Sequence, residues 1–415
     1  MSRFVTCALL LLAWDTDSAF AQKSFTWQEI RDRFEATNPT LIAARIGVDQ
    51  SKAQEITAYL RPNPDITGTI DQIAPFSTNP YRPFANTLPF ISGSYLHERA
   101  HKRELRLESA QKATAVAASQ LADQQRVLLF NLRNAFVQTL QQKAIVALTR
   151  ESLSYYDKLL SVNRDRFQAG DIARIDFTRL ELQRVQFESD AQTAIVNLRT
   201  AKINLLTFLN DRTPVDQFDI AGAFDFQDQI DSLEEYRRIA LESRPDLQAA
   251  IQSIEKAKAD HRLAIANGSS DPTIGMDFAR NPPIPAYLGL SVTIPLRIFD
   301  RNQGEKLRTQ LDITRNERLR DADLAQVYSD VDSAHATINS TLTLLRRYKA
   351  TYLAQAADVR ETISFSYDRG GASLLDFLQA QQDYRTIQLS YLNLVGSYLN
   401  AASQLNQAVG REVIQ

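Results

Sequence analysis

The chain has 415 residues and a single cysteine, and its 47 Lys and Arg stand against 49 Asp and Glu, a net charge of −2. This balance gives no electrostatic basis for binding DNA or RNA, so no nucleic-acid partner is expected. One cysteine also excludes a small domain held together by disulfides. We therefore expect a long chain that folds by its own packing.

The first 21 residues have the pattern of a secretory signal. Arg3 supplies the positive charge, FVTCALLLLAW the apolar segment, and AFA at 19–21 the cleavage site. A membrane anchor is the alternative, but it needs an apolar run of roughly 20 residues. Lipid attachment at Cys7 is a further alternative, although too little sequence precedes it for a lipoprotein cleavage site. The prediction is a signal peptide at 1–21 and an exported chain without cysteine.

The chain repeats itself at an offset of 200 residues. FQAGDIARIDF at 167–177 aligns with YDRGGASLLDF at 367–377, and three pairs in them are identical: Gly170 and Gly370, Asp176 and Asp376, Phe177 and Phe377. Such self-similarity is the signature of a repeated architecture. It predicts a first structural repeat at 22–215 and a second at 216–415.

Each half predicts the same order of elements: a helix, two strands, a very long helix and a final helix. The first helix starts at a proline, which suits the first helical turn. The predicted bounds in the first half are Pro39–Leu60, Ile66–Ile73, Thr87–Leu96, Arg99–Ala169, and a helix after Gly170 to Asn210. The bounds in the second half are Pro245–Ala266, 273–278, 287–296, Glu305–Arg369, and a helix after Gly370 to Gly410. A Pro-rich connection joins the strands of each half, RNPPIPA at 280–286 in the second.

The strand YLGLSVTIPL at 287–296 alternates apolar residues with small or polar ones over about ten positions. That length and pattern are typical of a transmembrane strand with one face in lipid. A half-buried sheet of an ordinary soluble domain alternates in the same way. The strands alone leave both interpretations open.

The helices favour the membrane interpretation. A seven-residue series follows the first very long helix: Leu132, Thr139, Val146, Leu153, Leu160 and Phe167. Such heptads predict a left-handed coiled coil. At 1.5 Å per residue the very long helix spans roughly 100 Å, and the final and first helices stacked end to end span roughly 92 Å. One helix can therefore run beside two stacked ones, which gives a long helical cylinder with the strands at one end.

Four strands per chain cannot close a barrel, which needs about eight. Open sheet edges are not tolerated in lipid. A spanning barrel must therefore be shared between chains, and three chains would supply twelve strands.

These features resemble the TolC family of outer-membrane efflux channels over the whole exported chain. RFQAGDIARIDFTRLELQ and YDRGGASLLDFLQAQQDY are similar to that family's two hairpin tips, and GLSVTIPLRIFDRNQGEKLR at 289–308 to its passage from strand to helix. Within that passage, the PLRIFDRNQG form resembles the branch typified by CzcC, which serves cobalt, zinc and cadmium efflux.

The resemblance implies a mostly α fold with a membrane β-barrel part. A homotrimer would form a twelve-stranded β-barrel in outer-membrane lipid, continued by an α-helical coiled-coil tunnel in the periplasm. A periplasmic adaptor and an inner-membrane pump of the resistance-nodulation-division type would be its partners. The chain would be a passive exit duct and not an enzyme, without a cofactor, and its solutes would be divalent metal cations. Drugs or other small molecules, or a periplasmic coiled-coil scaffold, are the alternatives.

The gate of this family falls on two carboxylates, one after each tip. Asp176 and Asp376 would be repeated three times around the pore axis, and rings of Asp select for cations. The alternative for Asp376 is helix capping, because Ser373 precedes it with capping-box spacing. The family's second acidic residue is replaced here by Gln379, which puts a double ring in doubt. Its tip tyrosine is kept as Tyr367, within expected reach of Asp176.

Gly170 and Gly370 are the predicted tip turns, where a left-handed backbone is easiest for glycine. The arginine that locks the gate in the family is replaced by Ala372.

Residues 97–101 read HERAH and match the zinc-peptidase pattern H-E-x-x-H. That site needs both histidines on one helix and a third ligand further on, but the extended motif finds Glu104 and Leu107 instead of Gly and His. The segment aligns with the passage from the second strand to the long helix. We expect surface residues at the junction of barrel and tunnel, without a metal site; His261 and His335 lie in other helices and suggest none.

Overall fold

The computed structural model describes residues 23–76, 79–281 and 283–414. The predicted signal peptide at 1–21 lies outside these ranges. In the first half the elements are β1 (Lys23–Phe25), α1 (Trp27–Thr37), α2 (Pro39–Tyr59), β2 (Asp65–Asp71), β3 (Leu88–Leu96), α3 (Lys102–Ala169) and α4 (Arg174–Phe208). In the second they are β4 (Phe218–Ile220), α5 (Leu233–Ser243), α6 (Pro245–Asn267), β5 (Thr273–Asn281), β6 (Ile284–Thr293), α7 (Gln303–Arg347), α8 (Leu353–Asp368) and α9 (Leu374–Val409). The predicted order of elements is confirmed in both halves, while the division at 215/216 stays a prediction.

Two short elements at the start of each half were missing from the sequence prediction. β1 pairs in parallel with β4, and the 11-residue helices α1 and α5 follow the two strands. Phe218 and Ile220 of β4 are fully buried and pack with Ile30 and Phe34 of α1. Strands of three residues are too short for an alternation to be visible.

The helix starts follow local chemistry. Pro39 opens α2, and the Asn38 side chain accepts a hydrogen bond from the Leu41 N–H (3.0 Å). Pro245 opens α6 after Arg244, whose buried guanidinium donates to Asp330 Oδ2 (2.8 Å). The predicted starts of these helices are therefore correct.

One long helix packs beside two shorter ones, as the lengths predicted. At the sheet end the helices form a row in the order α2, α3, α6, α7, and towards the tips the order is α4, α3, α9, α8. The 68-residue α3 thus lies along both α2 and α4. Among the described residues, no helix has the combination of length and hydrophobicity needed to cross a membrane.

The second very long helix, predicted as one element, is interrupted by a π turn at Tyr348–Tyr352. On the packed face of α3, Leu153 follows Val146 after seven residues. At the corresponding place in the second half, Leu353 of α8 follows Leu345 of α7 after eight residues. A π turn accommodates such an added residue within a continuous helix. Between the part of the helix near the sheet and the part near the tip, the second half therefore has one more residue than the first.

The four predicted strands form one antiparallel sheet in the order β2, β3, β5, β6. The connection predicted at 280–286 is wrong, because β5 continues to Asn281 and β6 already begins at Ile284. Prolines at 285 and 295 lie on an edge strand or beyond its end, where a missing N–H is tolerated. The outer strands β2 and β6 each have one neighbour among the described strands.

Candidate functional site

One face of the sheet is apolar and uncovered by the rest of the chain. The cross-strand register aligns Ile274 with Val292, Met276 with Leu290, and Phe278 with Leu288. Apolar side chains that are more than half exposed continue this face on β2 and β3: Ile66, Ile70 and Ile91. A sheet packed on a soluble core would bury one such face, so the exposed rows favour lipid contact.

The opposite face is polar and built from small residues. One row joins Thr67, Ser92, Asp277 and Gly289, and the next joins Asp65, Ser94, Gly275 and Ser291. The Asp277 carboxylate lies over Gly289, where an added Cβ would be 2.5 Å from Oδ1. This face can therefore line an aqueous interior, and glycine makes room for the carboxylate.

At the end of the long helices opposite the sheet, the two hairpin tips have the same backbone geometry. Gly170 and Gly370 have φ of 85° and 76°, in the left-handed region that favours glycine. The Gly170 N–H donates to Phe167 O (3.1 Å), and the Gly370 N–H donates to Tyr367 O (3.0 Å). The structure thus places both predicted glycines at equivalent helix ends.

Stacked aromatic pairs hold each tip. Phe167 stacks on Phe177 with ring centroids 5.2 Å apart, and Tyr367 stacks on Phe377 at 4.8 Å. These pairs correspond at the offset of 200 residues. The repeat itself could have predicted them, because aligned positions carried aromatic rings on both sides of each turn.

Tyr367 is oriented by a residue that the sequence reasoning missed. Its hydroxyl donates to Asn163 Oδ1 (3.2 Å), and the expected reach to Asp176 stays a prediction. Asn163 is 1% exposed, and its amide also donates to Leu159 O (2.9 Å). Burial raises the pKa of Tyr367, with Asp176 and Asp368 adding to the shift and Arg166 opposing it. The hydroxyl therefore stays protonated and can keep donating.

The two gate carboxylates differ in their partners. Asp376 forms a complete capping box with Ser373, whose hydroxyl donates to Asp376 Oδ2 (2.7 Å). These hydrogen bonds hold the pKa of Asp376 below its usual range. Asp176 has Arg179 of the next turn 3.7 Å away, and no cap accompanies it. Helix capping therefore explains why an aspartate stands at position 376, but it does not explain the aspartate at position 176.

Two arginines join the hairpins to each other. Arg166 of α3 donates to Asp368 O at the end of α8 (2.8 Å). Arg385 of α9 pairs with Asp190 of α4 and lies over the Phe187 ring at 5.0 Å. Single-sequence patterns could not predict these contacts because they depend on which helices are neighbours.

The HERAH segment lies between β3 and α3 and is not helical. Ala100 and His101 both have φ of 55°, in the left-handed region. The His97 N–H donates to Pro272 O (2.9 Å), and the Glu98 carboxylate pairs with Arg106 of α3 (Nη2–Oε2 2.9 Å). A zinc-peptidase helix does not form there, and the predicted location between the second strand and the long helix is confirmed.

Lys102 and Asp271 fasten this junction. The buried Lys102 ammonium lies 2.6 Å from Asp271 Oδ2 and donates to Ser269 O (2.8 Å). Elsewhere, His261 bonds Thr309 (2.9 Å) and His335 lies beside Tyr236. Within the described ranges no group of His, Cys, Asp and Glu has the arrangement of a metal site.

Comparison with known proteins places this geometry in context. No protein-family model matches the chain. It is 23% identical over 383 residues to the cobalt-zinc-cadmium resistance protein CzcC of Cupriavidus metallidurans, covering 90% of this chain and 87% of that protein. Among solved structures, CusC superposes with a TM-score of 0.77 at 15% identity, over 92% of each chain. The open-state MtrE outer-membrane channel of Neisseria gonorrhoeae gives 0.75 at 15% identity, over 93% of this chain and 89% of that one.

The chain has the fold of the TolC-type outer-membrane channels. The resemblance read from the sequence is thus confirmed for the fold. In this fold the sheet, with one apolar and one polar face, lies at one end of the long helices, and the paired tips lie at the other.

Proposed function

We propose that the chain is the outer-membrane channel of a tripartite efflux system, a passive exit duct for solutes delivered from the inner membrane. The observation that carries this proposal is the sheet of β2, β3, β5 and β6. Its apolar rows are exposed on one face and its polar rows lie on the other, as expected for a wall between lipid and water. The helical hairpins continue from that wall and would form the periplasmic tunnel.

The proposed assembly is a homotrimer. Four strands cannot close a barrel, and the free edges of β2 and β6 would be open in lipid. Three copies joined edge to edge give twelve strands. The helices that end each row also expose apolar residues on the flanks: Ile46 and Ile56 on α2, and Leu307 and Leu311 on α7. Contacts between two unlike edges close into a ring.

Fractionation tests this assembly. We expect the chain in the outer membrane, as trimers that persist in detergent on an unheated gel. A monomer with native circular dichroism in the periplasmic fraction would instead support a coiled-coil scaffold and refute the channel.

The proposed gate consists of Asp176 and Asp376, repeated by the trimer axis at the tips, with Tyr367 and its neighbours fixing the closed form. Supporting it are the equivalent positions of both carboxylates, one turn into α4 and α9. Rings of carboxylates favour cations. In planar bilayers the channel should conduct poorly, prefer cations, and be blocked by multivalent cations from the tip side.

The Asp176→Asn and Asp376→Asn variants should each weaken this block, and the double variant should weaken it further. An unchanged cation preference in the double variant would mean that selectivity arises elsewhere in the tunnel.

The proposed solutes are divalent metal cations, and the partners are a periplasmic adaptor and a pump of the resistance-nodulation-division type. The similarity to a cobalt-zinc-cadmium resistance protein supports this choice. A deletion strain should lose tolerance to cobalt, zinc or cadmium and regain it with the intact gene. Loss of tolerance to dyes or antibiotics with unchanged metal tolerance would favour a small-molecule duct.

A further inference from the structure

A basic pocket lies between α1, α3, the start of α6 and the end of α9, on neither the sheet nor the tips. Its volume of about 410 Å³ falls in the range of ligand pockets, roughly 300–1,000 Å³. Its charged lining includes four arginines and one carboxylate: Arg31, Arg126, Arg133, Arg411 and Glu412. We call it the Arg133 pocket.

Two of these arginines are neutralised by the chain. Arg126 lies 2.6 Å from the Asp123 carboxylate, and Arg31 lies 3.1 Å from Glu35 and 3.8 Å from Glu412. Their charge is therefore already compensated.

Arg133 is not compensated. Its guanidinium lies over the Trp27 ring at 4.5 Å and beside the Phe136 ring at 5.9 Å. Among the residues that the structure describes, it donates no hydrogen bond and has no carboxylate at salt-bridge distance. Burial lowers the pKa of Arg133, opposed only by the more distant charge of Glu412. A partly desolvated guanidinium with unused donors favours an anion.

The walls around it are apolar. Trp27, Leu129 and Phe130 line the same pocket, and the exposed Arg411 adds a second positive charge, without an ion pair in the described part of the chain. A carboxylate presents two oxygens that match the guanidinium fork, and an apolar body would fit the remaining wall.

We infer that the Arg133 pocket binds a small molecule that joins a carboxylate to an apolar or aromatic body. This inference goes beyond the proposed efflux and does not depend on the proposed gate, since none of the pocket residues belongs to the sheet or the tips.

The test measures binding to the assembled protein with benzoate, its neutral counterpart benzamide, and inorganic phosphate. The chain has two tryptophans, and Trp14 lies in the predicted signal peptide, so Trp27 is the single tryptophan of the exported chain. Benzoate should change its fluorescence saturably and bind at least about tenfold more tightly than benzamide, as expected for a charge-assisted pair. Equal binding of benzoate and benzamide, or tighter binding of phosphate, would overturn the inference.

Substitutions locate the site by calorimetry. Arg133→Gln should weaken the binding of benzoate about tenfold and leave the binding of benzamide unchanged. The benzoate affinity of Arg133→Lys should lie between those of Arg133→Gln and the wild type, because a point charge replaces the guanidinium fork. The control is Arg184→Gln, on α4 and paired with Asp157 (2.6 Å) outside the pocket. Arg411→Gln, at an exposed position, tests the charge without affecting folding and should also weaken benzoate. Wild-type benzoate affinity in folded Arg133→Gln, or in Arg411→Gln if the former does not assemble, would refute the inference.

Discussion

Replacing Tyr367 by Phe removes one hydroxyl at the second tip and should loosen that tip without changing its shape. The hydroxyl donates to Asn163 Oδ1 at 3.2 Å, and the ring stacks on Phe377 at 4.8 Å. Phe keeps the stacking. The variant therefore isolates the hydrogen bond.

The magnitude follows from burial. Asn163 is 1% exposed, so its Oδ1 is shielded from bulk water in the folded tip. A buried acceptor left without a partner costs about 1–3 kcal/mol. If that free energy stabilises the closed tip, local opening should become about 5- to 150-fold more frequent.

Amide hydrogen exchange of the trimer, read at the turns around Gly170 and Gly370, measures this opening. Exchange should accelerate at the tips and stay unchanged in the sheet. Adding Asn163→Leu should recover much of the loss, because an apolar pair leaves no unsatisfied group. Wild-type exchange in Tyr367→Phe would refute the hydrogen-bond argument, and a recovery caused by Asp176→Asn instead would make Asp176 the relevant partner.

Three further predictions concern the tip glycines, the capped gate residue and the sheet. Gly370→Val should lower efflux more than it lowers trimer assembly, because a residue with a side chain at φ of 76° is strained by roughly 1–2 kcal/mol. The control is Gly47→Val, in open space on α2, which should leave efflux unchanged. Normal export by Gly370→Val would contradict the tip assignment. Asp376→Asn keeps an acceptor for the capping box and should weaken the block by cations without changing amide hydrogen exchange at the tip. Asp376→Ala should change both. If neither variant affected the block, helix capping would be the only role of Asp376. Leu290→Lys places a charge on the apolar face, which costs about 2–4 kcal/mol in lipid, so heat-resistant trimers should be lost on gels. Ser291→Lys on the polar face should still form trimers. The reverse result would mean that the lipid-facing and water-facing sides have been assigned the wrong way round.

The elements that the sequence predicted well are those whose signals are local and repeated. The prolines at 39 and 245 and the glycines at 170 and 370 mark helix ends, because their backbone preferences do not depend on neighbours. Alternation in 287–296 predicted the apolar face correctly. The contacts of Asn163 and Arg166 could not be predicted, since each depends on which helix packs beside α3.

The π turn shows why a single repeat offset is not enough to predict packing. Each residue of an α-helix turns its face by about 100°, so one added residue would rotate everything beyond it away from its neighbours. Val146 and Leu345 occupy equivalent buried positions at an offset of 199, whereas Leu153 and Leu353 correspond at 200. The turn at Tyr348–Tyr352 takes up that residue, so α8 again presents its packed face to α9 and the two tips become equivalent. The sequence contains this shift as a change in the spacing of buried residues, but it becomes readable only when burial is known.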